Sequence, residues 1–76
     1  MQTVNKLIDV KPWCLNAKPG DARVFSVREE VTQETASAFI HKVNQERGRI
    51  NNVWVVVESF ACAPEPTTRI RVHCSR

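Results

Sequence analysis

The sequence predicts a single α+β domain in the order β-β-α-β-β, with one amphipathic helix packed on a four-stranded, mainly antiparallel sheet. Three observations carry that expectation. The run 52–62 is the densest stretch of β-branched and aromatic residues in the chain, which is the composition of a pleated, buried surface. Residues 67–74 alternate apolar Ile70, Val72 and Cys74 with polar Arg69, Arg71 and His73, the period of a strand with one wet face. Between them, Ala36, Phe39, Ile40 and Val43 recur at i, i+3, i+4 and i+7, the stripe of a surface helix. A chain of 76 residues, 42% hydrophobic and 25% charged, is a globular composition with room for one core.

In chain order, Val4, Leu7, Ile8 and Val10 read as a first strand over about residues 3–11. Pro12 has no N–H for a ladder bond, so the strand is expected to stop there or lie at an edge. Lys18-Pro19-Gly20-Asp21 has the type II turn chemistry, with proline setting φ at the second position and glycine accepting positive φ at the third. Val24, Phe25 and Val27 mark a second strand over 22–31, and the two strands are expected to pair as an antiparallel hairpin. Thr32 supplies a hydroxyl cap for a helix over 33–47, and Glu34 suits the positive end of its dipole. Arg47 suits the other end, and Gly48 can take the left-handed closing position. The polar residues Gln33, Ser37, His41, Lys42, Gln45 and Glu46 are expected to face water.

The run 52–62 then forms the strand around which the domain is expected to be organised. Val53, Val55 and Val57 point one way, and Trp54, Val56 and Phe60 the other. Apolar side chains on both sides call for cover on both faces, and one helix supplies cover for one. Ala63-Pro64-Glu65-Pro66 must turn, and residues 67–74 return as the last strand.

Charge is uneven along the chain. Over residues 1–41, Lys6, Lys11, Lys18, Arg23 and Arg28 balance Asp9, Asp21, Glu29, Glu30 and Glu34. The net +3 therefore lies entirely in residues 42–76, where Lys42, Arg47, Arg49, Arg69, Arg71 and Arg76 outnumber Glu46, Glu58 and Glu65. Cys14, Cys62 and Cys74 are odd in number and lack a CxxC pair. They read as small hydrophobes in a reducing compartment, not as a disulfide framework. Polar residues interrupt the amino-terminal segment before a signal core can form, no membrane-spanning run exists, and a cytoplasmic protein is expected.

Catalysis finds little footing in these residues. No carboxylate pair lies in an apolar setting, no glycine-rich phosphate loop occurs, and no His/Cys spacing suits a metal. His73 and Cys74, adjacent on a strand, point to opposite faces. The expectation is a non-enzyme with no cofactor and no metal. Binding is the better-supported class. Arg69 and Arg71, with Arg76 at the terminus and Arg49 after the helix, form a basic set, and Trp54 and Trp13 are candidate aromatic anchors, since Trp and Arg dominate interface energetics. These six residues are the expected partner-binding set, on a larger host protein or ribonucleoprotein. A homodimer through the free sheet face is a second expectation. Nucleic acid is a third, with the arginines on phosphates and Trp54 or Phe60 as a stacking surface.

The helix followed by Asn52, Val53 and Trp54 looks superficially similar to the flavin-binding dodecins. The additional amino-terminal strands depart from their β-α-β-β order, and no residue role carries over. In size and composition alone, the chain is similar to small phage and mobile-element proteins that block host machinery, anti-CRISPR proteins among them. That similarity implies an inhibitor acting by occupying a surface.

Overall fold

A computed structural model describes residues 1–48 and 51–76. The chain runs through β1 (Gln2–Val4), a 3-10 turn (Leu7–Val10), α1 (Lys11–Asn16), β2 (Ala22–Val27), α2 (Gln33–Arg47), β3 (Val53–Ala61) and β4 (Thr67–Cys74). The strands form one mixed sheet in the order β1-β2-β4-β3. The α+β class and the β-β-α-β-β order are those predicted, with α1 as an additional short helix.

The first strand is much shorter than its expected range of 3–11. Leu7, Val10, Cys14 and Ala17 are all buried, and their spacing of three, four and three follows a helical period, not an alternating one. The Asp9 carboxylate accepts the Lys6 N–H at 3.0 Å and closes the start of the turn. Pro12 lies in the first turn of α1, where a missing N–H costs nothing because the helix leaves it unpaired anyway. This helical detour also corrects the expected hairpin. β1 and β2 are parallel, with Gln2 opposite Phe25 and Val4 opposite Val27, and parallel neighbours require a crossover.

The turn at residues 18–21 forms as read: Asp21 N–H donates to the Lys18 carbonyl at 2.9 Å, and Gly20 takes φ of 90°. Beyond Val27 the chain leaves the sheet earlier than the expected 31. Val31 is buried in the connection, and its N–H donates to Thr68 Oγ1 at 3.0 Å, while that hydroxyl donates to the Glu29 carbonyl at 2.7 Å. Thr68, buried and polar, is thereby satisfied on both sides.

The run around which the domain is expected to be organised is an edge strand of the sheet. β4 lies inside, paired antiparallel with β2 and with β3. The strand with strict alternation is the interior one because it needs neighbours on both sides but cover on only one face. Phe25, Val27, Val53, Val55, Ile70, Val72 and Cys74 are buried from the sheet against Val10, Cys14, Ala36, Ile40 and Val43 from the helical layer. Thr32 Oγ1 accepts the Thr35 N–H at 3.1 Å and Gly48 closes α2 with φ of 59°, as expected. Phe39 packs only at the margin of this core.

Arg47 does more than suit a helix end. Its guanidinium donates to the carbonyls of Cys14, Ala17 and Asn51 and contacts Cys74 Sγ, joining α1, α2 and β4. Burial pushes the nearby Cys14 thiol up to about 12, against the opposing pull of the Arg47 charge.

Candidate functional site

Both helices lie on one side of the sheet, and the other side is open. Residues in register across neighbouring strands share a face, so the pairings define that surface as three rungs. Ala22, His73 and Trp54 form the first, Val24, Arg71 and Val56 the second, and Ser26, Arg69 and Ser59 the third. β4 thus supplies a central column of His73, Arg71 and Arg69. Trp54 and Val56 flank it on one side, about half exposed at 50% and 48%; Ala22 and Val24 flank it on the other.

Glu58 is the acid on this face. Its carboxylate lies 3.3 Å from Arg71 Nε, with both side chains partly solvated, so the pair contributes little to stability. Arg69 has no acidic partner among the described residues. A shallow basin of about 660 Å³ lies over this end, bounded by Met1, Arg23, Val24, Glu58, Arg69 and Arg71. Its electrostatics are those of a weakly neutralised basic patch beside exposed apolar groups.

The structure brings together only part of the predicted contact set. Arg69, Arg71 and Trp54 share the open face. Trp13 is on the helical side, partly buried, with its ring edge-on to Phe25 at 5.9 Å between centroids. It packs as core and not as an exposed anchor, because residues 11–16 are helical where a strand end was expected. Arg76 lies against the Gly20 turn, beyond the first rung. Arg49 lies outside the described residues. Phe60 also leaves the expected set. A bulge between Val57 and Ser59 places Phe60 opposite Thr68, on the helical side, although it is 44% exposed beyond α2.

A second feature involves residues expected simply to face water. β3 is an edge strand, and unpaired strand edges recruit other strands. Here α2 covers it with side-chain amides. Asn44 Nδ2 donates to the Val53 carbonyl at 3.0 Å while its Oδ1 accepts the Val53 N–H at 2.8 Å. Three helical turns earlier, Gln33 Nε2 donates to the Val55 carbonyl at 3.1 Å and its Oε1 accepts the Val57 N–H at 2.8 Å. Each amide imitates the peptide group of a neighbouring strand. The spacing of Gln33 and Asn44 on one helix face is legible in the sequence, but only once β3 is known to be an edge.

Among the described residues, no three His, Cys, Asp or Glu side chains gather as a metal site would require, and no helix is long and apolar enough to cross a membrane. No protein-family model, curated protein or solved structure matches this chain.

Proposed function

We propose that this protein acts by stoichiometric binding, docking its open sheet face on an acidic surface of a larger protein or ribonucleoprotein in the cytoplasm. The observation that carries this reading is the helix-free face on which Arg69 and Arg71 stand between exposed Trp54 and Val56 and the Val24 side of β2. Exposed apolar groups around a basic column combine the anchor and the steering charge of a protein interface. A twofold dimer through this face would set the arginine columns of two copies against each other, and like charges in apposition oppose it. A domain that binds in this way serves as an inhibitor or adaptor by occupancy.

The test is affinity capture on the immobilised protein, with nuclease treatment, comparing wild type with the double variant Arg69→Glu, Arg71→Glu. The expected result is a protein partner that survives nuclease and is lost from the double variant, while the circular dichroism melt is unchanged. Retention of that partner by the double variant overturns the contact assignment.

A specific observation favours one second reading, single-stranded nucleic acid. Trp54 and His73 are side by side in the first rung, and the arginines continue the same column at about 6–7 Å per two residues. That is a stacking surface leading into a basic track. Partner recovery abolished by nuclease, with steep salt dependence, selects this reading.

A further inference from the structure

Between the two amide clasps, the edge of β3 has one outward group without a clasp. Val53 presents its N–H and carbonyl to Asn44, and Gln33 takes the Val55 carbonyl and the Val57 N–H. The Val55 N–H points the same way, because both polar groups of a residue in an antiparallel strand face the same side. It has no partner among the described residues. In front of it is a groove of about 430 Å³ between α2 and β3, within the size range of small-ligand sites.

The groove wall is mixed in a way that suits one kind of ligand. Ile40, Trp54 and Val55 supply its apolar surface, and Ser37, His41 and Gln45 are at its polar margin. The Ser37 oxygen already accepts from Gln33 Nε2 at 3.0 Å, which leaves its hydroxyl proton to donate. No Asp or Glu lines the groove, so nothing there repels an anion. A donor-rich notch beside an aromatic wall calls for an acceptor oxygen attached to a flat apolar body.

We propose that this groove binds a small aromatic carboxylate, its oxygen accepting the Val55 N–H and the Ser37 hydroxyl and its ring lying against Ile40 and Trp54. The carboxylate would complete the row of strand-mimicking contacts that Gln33 and Asn44 begin. The groove shares Trp54 with the open face but neither Arg69 nor Arg71, so the variant Arg69→Glu, Arg71→Glu, which tests that face, leaves the groove lining intact.

The test is an amide NMR titration of the ¹⁵N-labelled full chain with phenylacetate, and with phenylacetamide as the neutral counterpart. The expected result is a saturable shift of the Val55 amide with at least tenfold weaker binding of phenylacetamide. Ser37→Phe, a change at an exposed helix position that fills the groove, should abolish the shift while leaving the remaining spectrum in place. Should that variant fail to fold, Ser37→Ala gives a second reading, with binding weakened several-fold and the fold kept. Shifts confined to Arg69 and Arg71, equal binding of phenylacetamide, or saturation unaffected by both variants would each overturn the proposal.

Discussion

The two faces of the sheet are made by the same strands, residue by residue in alternation, yet they obey different rules. On the covered face, Phe25, Val27, Val53, Ile70 and Val72 are closed off by the helical layer. On the open face, their immediate neighbours Val24, Trp54, Val56, Arg69 and Arg71 meet solvent. The difference teaches that the covered face carries nearly all the stability and the open face is free to be shaped by what it touches. A central strand can hold arginines at alternate positions because the fold asks nothing of them.

Substitutions ranked by their expected cost sharpen this contrast. Phe25→Ala should be the most damaging, at about 3–5 kcal/mol by urea denaturation, as large-to-small aromatic changes in a core are. A small effect would mean that the covered face is not the closed core described. High pH should weaken the same layer. The Cys14 thiol is held at about 12 when folded, against an ordinary value of 9.0, so unfolded chains lose that proton first. Its contribution is fully present below pH 9 and is lost as pH rises toward about 12; a Cys14→Ala variant should lack that component in pH-dependent melts.

Arg47→Ala should follow, at roughly 2–3 kcal/mol, because it strips charge-assisted hydrogen bonds from the carbonyls of Cys14, Ala17 and Asn51. Asn44→Ala should cost about 1–2 kcal/mol, the penalty for unpairing both polar groups of Val53. It should also raise light scattering at high concentration, since a freed edge recruits strands. Trp54→Ala, and the pair Arg69→Glu with Arg71→Glu, should shift stability by no more than about 0.5 kcal/mol per site. A cooperative loss of stability in either would erase the distinction between the two faces.

Much of the covered layer was legible in the sequence. The stripe of α2, its Thr32 and Gly48 ends, the turn at Gly20 and the alternation of β4 are local signals, and local physics decides them. Residues 7–16 are ambiguous locally, because the apolar Val–Leu–Ile–Val series suits a strand while the spacing of Leu7, Val10 and Cys14 suits a helix, and because Pro12 marks either a strand end or a helix start. The position of β3 was illegible for a different reason. Nothing within residues 52–62 distinguishes an edge from a centre; the answer depends on Gln33 and Asn44, which reach it from another element. Strand alternation alone places Arg69 and Arg71 on one face and sets Trp54 opposite the valines of β3, whereas the position of Trp13 follows from the helical course of residues 11–16. Phe60 departs from its expected face because one bulge shifts the alternation of β3 before it.

That bulge ties the charge of the open face to the length of β3. Glu58 is the unpaired residue between Val57 and Ser59, and it leaves Glu58 and Ser59 facing the same way. Loss of the Glu58 codon would restore strict alternation with Ser59 still opposite Arg69 and Phe60 still opposite Thr68, and would take from the open face the carboxylate that pairs with Arg71. Such an event alters no buried side chain of the helical layer. A one-residue deletion at the bulge would therefore raise the net positive charge of the open face while leaving its register and the covered core in place.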